Sequence, residues 1–213
     1  ISDEKSDAIN KKLFLVGKYI STEKSKSIAK YLMFSGLLIL VLVNWFSALL
    51  VGIIYIIWGI IYNQSPYNWK GKPILGWLAN SIVGIILFSI GWGLVMQNQS
   101  NSAIIPLDIS MLTLLLPYGF CFSSVSLLTT LPDIVGDSSS GDKTFPIVFG
   151  KGLTLLISLV FIIIAFIVAL KNNDPLASTA TLVSIPFFIF AFIRRMDKDI
   201  LRAIRYPIFI LNF

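Results

Sequence analysis

Apolar residues gather in six long runs, near 28–44, 47–63, 74–96, 110–131, 153–170 and 176–193, and a seventh starts near Arg205 and reaches Phe213. Each of the six matches the roughly 17–25 residues a helix needs to cross a bilayer. Backbone polar groups in lipid must be satisfied within the segment, so each run is predicted to be a helix. The chain opens on Ile1 and its last residue falls inside an apolar run, so a fragment of a longer membrane protein is expected.

Composition agrees with the pattern. The 213 residues are 56% hydrophobic with a mean hydropathy of +0.84, and only 13% are charged, against roughly 25% in soluble domains. The expected fold class is all-α, a polytopic transmembrane helix bundle. Histidine is absent, which excludes Ser-His-Asp and Cys-His catalysis and any histidine metal site. The lone Cys121 rules out a disulfide framework and is expected to pack. Small residues in the third and fourth runs, among them Gly76, Gly84, Gly91, Ser123 and Ser124, allow close helix approach. Pro117 and Pro186 are expected to kink their helices. Asn80 is expected to bond a neighbouring helix, with the lining of an acceptor pocket as the other reading.

Threading the runs in order sends alternate connections to opposite faces. One face receives residues 1–27, 64–73, 132–152 and 194–204, and with Lys30 and Arg205 it holds 16 of the 17 Lys and Arg. The positive-inside rule predicts that this face is cytoplasmic. The net charge of +6 is therefore topological, and no nucleic-acid partner is expected. All acidic residues except Asp108 and Asp174 lie on the same face.

Two acidic pairs there share one spacing. Asp3 and Asp7 in "SDEKSDAINKK" are four apart, as are Asp133 and Asp137 in "PDIVGD". Positions i and i+4 of a helix share a face, so two carboxylates there repel unless a cation compensates. Magnesium suits them, since it takes one or two carboxylates together with phosphate oxygens. Two such pairs could hold metal ions over one diphosphate. The alternative is a pair of solvated helix ends. Gly136 and Gly141 bracket a predicted loop, "GDSSSGDKT", in which Lys143 and Thr144 could donate to an anion. Lys70 and Lys72, on the next loop of that face, could neutralise diphosphate oxygens or anchor the interface beside Trp69 and Tyr67.

These residues resemble the UbiA superfamily of intramembrane prenyltransferases. Asp3 and Asp7 supply both aspartates of its N-x-x-x-D-x-x-x-D motif, whose asparagine would fall before Ile1. The second motif, D-x-x-G-D-x-x-x-G-x-x-T, is complete as Asp133, Gly136, Asp137, Gly141 and Thr144. The family's Y-S-x-x-P-x-R-x-K loop is matched at Tyr62, Pro66 and Lys70 and departs at Asn68. The resemblance covers the whole chain as a single domain over 1–213.

It implies a nine-helix fold around a cavity, of which this chain would hold six complete helices and be incomplete at both ends. It also implies transfer of a polyprenyl group from its diphosphate to a lipophilic acceptor. Asp3, Asp7, Asp133 and Asp137 would be the catalytic residues and would hold Mg2+. Tyr62, Lys70, Lys143 and Thr144 would bind the diphosphate, with Tyr62, Tyr67, Tyr118 or Phe122 facing the allylic cation. An aromatic quinone precursor is the favoured acceptor, ahead of a glycerol-phosphate lipid or a porphyrin-type alcohol. Competing readings are an ion-coupled transporter, which needs polar groups near the bilayer midplane, and a structural membrane subunit, which leaves the aspartate pairs unexplained.

Overall fold

The computed structural model describes the backbone of residues 8–9, 19–100 and 109–211, and their side chains apart from 97–100 and 208–211. Among the described residues eight α-helices of four or more residues follow one another: α1 (Thr22–Val43), α2 (Trp45–Ile54), α3 (Pro73–Ser100), α4 (Ile109–Thr129), α5 (Ile134–Ser140), α6 (Phe145–Lys171), α7 (Pro175–Arg194) and α8 (Asp197–Leu211). Among the described residues six spans are long and apolar enough to cross a membrane: α1, Trp45–Tyr62, Pro73–Met96, Ile109–Ser140, α6 and α7. They coincide with the six runs read from the sequence.

Polar residues set the ends. α1 starts at Thr22, earlier than its apolar run, because the Ser21 hydroxyl accepts from the Lys24 amide and caps the first turn. Buried Asn44 closes α1 and opens α2, its Oδ1 accepting from the Ser47 amide at 2.7 Å. Asp174 caps α7 in the same way through the Ala177 amide, with Pro175 at the first helical position. α8 starts at Asp197, eight residues before the seventh apolar run.

Two local expectations are corrected. The second span is not α-helical throughout: Tyr55–Tyr62 is a π-helix, and the side-chain amides of Asn63 and Gln64 donate to the Trp58 and Gly59 carbonyls at its end. The predicted loop from Gly136 is mostly helix, because α5 runs to Ser140 and only then turns through Gly141 in the left-handed region (φ 80°). Pro117 and Pro186 lie inside α4 and α7, neither of which ends there. α6 leaves helical geometry at Gly150, with φ 83°. A side chain at that φ would be strained.

The bundle is knit by α3 on α4, α4 on α6, α6 on α7 and α7 on α8, with α8 returning to α4. Leu128, Leu131, Leu155, Ile162, Phe188 and Ile200 form its buried centre. Ala165, Ala169, Ala177, Ala180 and Ala191 keep the α6 and α7 backbones close. Ser124 ties α4 to α6 by donating to the Ser158 carbonyl at 2.7 Å. α1 packs on α2 and buries no residue. Its apolar surface would be unfavourable in water and suits a lipid-facing position.

Candidate active site

α4 ends where Thr129 and Thr130 turn their hydroxyls back onto the Ser126 and Leu127 carbonyls, at 2.9 and 2.6 Å. Pro132 cannot donate a further helical bond, and Leu131–Asp133 closes a 3₁₀ turn instead. Asp133 is then the N-cap residue of α5, and Asp137 sits in its first turn. The second aspartate pair is thus presented on a short helix that follows α4 and precedes α6. Asp142 returns the chain by donating its amide to the Asp137 carbonyl at 3.0 Å.

The connection from the π-helix to α3 meets this segment. Asn68 adopts the left-handed conformation (φ 37°) and leads into a 3₁₀ turn over Trp69–Gly71. The Lys143 amide donates to the Gly71 carbonyl at 3.1 Å, which joins the two connections. Gly76, in the first turn of α3, lies under that turn. A Cβ added there would stand 2.9 Å from the Trp69 carbonyl oxygen, so only glycine allows this approach.

Between the two connections is a cavity of about 190 Å³. Tyr62, Lys70, Lys72, Asp133, Asp137 and Thr144 all line it, with Trp77, Phe145, Thr129 and Thr130. The Lys70 ammonium stands 3.7 Å from an Asp137 carboxylate oxygen, and both side chains are largely buried, at 14% and 4% exposure. A buried carboxylate needs such a partner, since leaving water uncompensated is costly. The Thr144 hydroxyl is buried without a hydrogen-bond partner. An unpaired buried hydroxyl is costly by itself, and a polar ligand in the cavity would satisfy it.

Trp77 holds the wall. Its indole N–H donates to the Ser123 carbonyl at 3.0 Å, and its ring meets Phe145 edge-on and stacks on Phe161. A second cavity, of about 270 Å³ and mostly apolar, lies along α3 and α4. Val83, Leu87, Tyr118, Cys121, Phe122 and Val125 are among its lining residues, and Pro207 of α8 touches it. Asn80 and Thr129 line both cavities, so a polar chamber and an apolar one adjoin at these two residues. The Trp58 indole donates to Asn80 Oδ1 at 2.9 Å, and Asn80 Nδ2 donates to the Tyr62 hydroxyl at 3.4 Å.

Five of the eight expected site residues therefore share one chamber: Tyr62, Lys70, Asp133, Asp137 and Thr144. The Lys143 side chain is exposed and outside that lining. Asp3 and Asp7 lie outside the described residues. Among the described residues no three His, Cys, Asp or Glu side chains cluster to hold a metal ion unaided. Two carboxylates beside an unsatisfied hydroxyl and two lysines still fit magnesium, which completes its shell with phosphate oxygens and water. Tyr118 and Phe122 line the apolar cavity, whereas Tyr67 is half exposed and lines neither. Thr129, Thr130, Trp77 and Phe145 were not singled out from the sequence. The Thr-Thr pair closing a long apolar run is the one signal that could have drawn attention there.

The sequence model of one family, the UbiA prenyltransferase family, matches residues 1–213. No curated protein and no solved structure matches the chain.

Proposed function

The chain belongs to the UbiA prenyltransferase family and is an integral membrane prenyltransferase, and on that premise we propose that it transfers a polyprenyl group from a polyprenyl diphosphate to a lipophilic acceptor with the help of Mg2+. The observation that carries this reading is the pair of adjoining chambers: one holds two lysines, two aspartates and an unsatisfied hydroxyl, and the other is apolar. A prenyl diphosphate has the same division, a polyanionic head on a hydrocarbon tail.

The charged head suits the polar chamber. Lys70 and Lys72 would offset phosphate charge, and Thr144 would donate its hydroxyl to a phosphate oxygen. Asp133 and Asp137 would hold the metal, together with Asp3 and Asp7 as the family motif implies. Magnesium, when bound, supplies Lewis-acid stabilisation of the charge that grows on the departing oxygen. The tail suits the apolar chamber, where burial contributes about 0.8 kcal/mol per CH2. Asn80 and Thr129, shared by both chambers, mark where the allylic carbon would lie. Trp77, Phe145 and Tyr62 line the same chamber, and aromatic rings there would favour a developing cation and help keep water away.

The distribution of lysine and arginine supports a cytoplasmic position for the polar chamber. An aromatic quinone precursor is the acceptor we favour, with glycerol-phosphate lipids and porphyrin-type alcohols as the other candidates. The test is incubation of the full-length protein in detergent with labelled geranylgeranyl diphosphate, magnesium and a panel of these acceptors. Label transferred to one of them supports the reading. Label remaining in the diphosphate with every acceptor, while the protein stays folded, contradicts it.

A further inference from the structure

We infer that the outward face of α8 binds an anionic phospholipid of the adjoining leaflet through Lys198, Arg202 and Arg205. Successive helical residues are turned by about 100°, so positions 198, 202 and 205 fall within about 60° of one another. All three are exposed. Ile200, Ala203 and Pro207 fall on the opposite side of the helix and are buried. Leu201 and Tyr206 border the basic face and are exposed as well.

The depth of this face identifies its partner. α8 runs back along α7, with Ile200 and Ala203 in one buried cluster with Phe188 and Ala191. The Tyr206 ring stacks on Phe187 at 4.0 Å. Phe187 lies seven residues before Arg194, where α7 ends, or about 10 Å along its axis. Arg205, beside Tyr206, therefore stands within the depth of a span and on an exposed surface. A cation at that depth is costly unless an anion meets it. Asp197 pairs with Lys151 at 3.0 Å, and Asp199 with Arg202 at 3.5 Å. Among the described residues no carboxylate pairs with Lys198 or Arg205.

Helical side chains lean toward the N-terminus, and the N-terminus of α8 is at the polar connection after Arg194. The guanidinium groups can thus rise along the helix to the headgroup level while their stems stay in hydrocarbon. Their planar donors match phosphate oxygens. A zwitterionic headgroup brings its own cation, so three basic residues on one face select a headgroup of net negative charge. This end of the bundle is also the one that the lysine and arginine distribution places against the anionic leaflet. The basic face lines neither chamber, but the buried side of α8 reaches the apolar one at Pro207. A lipid held here would therefore steady a helix that walls that chamber.

The test equilibrates the full-length protein in detergent with equimolar phosphatidylglycerol and phosphatidylcholine, and counts the co-purified lipids by mass spectrometry. Prenyl transfer plays no part in this readout, so its outcome is separate from the fate of the prenyl-diphosphate reading. Wild type is expected to retain mainly phosphatidylglycerol. A cation near an anionic leaflet contributes about a fivefold preference. Lys198→Gln/Arg202→Gln/Arg205→Gln is therefore expected to lower the ratio of the two lipids about tenfold or more. Lys24→Gln/Lys26→Gln/Lys30→Gln removes equal charge from exposed lysines of α1 that do not share one face. It should stay within about twofold of wild type. Arg205→Gln alone, with an expected loss of about fivefold, and Arg205→Lys, expected to retain most of the preference, repeat the test should the triple variant fail to fold. Equal losses in the α1 and α8 variants would show diffuse surface charge and overturn the inference. An α8 variant that keeps the wild-type ratio overturns it too. Wild type without a preference does the same, and leaves an acidic protein segment as the occupant of this face.

Discussion

Gly76→Ala tests how the polar chamber is held open. A methyl group at this position would stand 2.9 Å from the Trp69 carbonyl oxygen and 3.2 Å from that of Lys70. Ordinary contact begins near 3.4 Å. Both neighbours are backbone atoms and cannot rotate away, so the 3₁₀ turn must retreat by about half an ångström. That turn carries Lys70, whose ammonium pairs with Asp137. Overpacking of this kind costs about 1–3 kcal/mol, and the gain from replacing a helical glycine recovers about 0.5–1 kcal/mol. We therefore expect a net loss of up to about 2.5 kcal/mol, read as a lower melting temperature in detergent. A misplacement of 1 Å can cost about a hundredfold in rate, so half of that should lower kcat/KM about tenfold. Gly91→Ala is the control, because no atom lies within 4 Å of its added Cβ. Initial-rate assays over a range of geranylgeranyl diphosphate concentrations compare the two. Gly76→Ala kinetics equal to those of Gly91→Ala would refute the reasoning.

Three further outcomes are expected. Thr144→Val keeps the volume and removes an unpaired buried hydroxyl, so thermal unfolding without ligand should show a gain of about 1 kcal/mol while the Kd for the diphosphate substrate rises severalfold. Gly84→Ala drives a methyl group into the Phe122 ring, which lines the apolar chamber; in competition assays the product ratio should shift toward shorter prenyl donors, and an unchanged ratio would count against that chamber holding the tail. Asp137→Ala removes a carboxylate that pairs with Lys70. Stabilisation by magnesium and geranylgeranyl diphosphate, about 2.7 kcal/mol at a hundredfold excess over Kd, should disappear in a thermal-shift assay, whereas a transporter in which Asp137 only balances Lys70 would keep it.

The spans were legible because about twenty apolar residues in a row admit one backbone solution in lipid. Their ends were less so. Thr22 to Ser27 are polar, yet they join α1 because Ser21 caps it. The π-helix at Tyr55–Tyr62 left no mark on composition, since it changes the hydrogen-bond partner and not the residue types. The glycines of α3 looked alike as small residues. The fold separates them: Gly76 lies under a carbonyl, Gly84 under an aromatic ring and Gly91 in open space. Lys70, Asp133, Asp137 and Thr144 were singled out by charge, spacing and loop position and Tyr62 by the family resemblance, and the fold brings these five to one chamber. Lys143 was singled out with them; its amide joins Gly71 and its side chain is exposed outside that lining. The apolar chamber was not legible, because its walls come from the π-helix, α3, α4 and α8, and no sequence window holds them together. For Asn80 the two readings were posed as alternatives, whereas it bonds Trp58 and also lines both chambers.

The most direct measurement is an experimental structure of the full-length protein with magnesium and geranylgeranyl thiodiphosphate, whose carbon–sulfur bond resists cleavage. The account predicts phosphate density between Lys70 and the Asp133–Asp137 pair, Asp3 and Asp7 facing it, and the prenyl chain passing Asn80 into the apolar chamber. Phosphate bound elsewhere, or Asp3 and Asp7 turned away from it, would contradict the account.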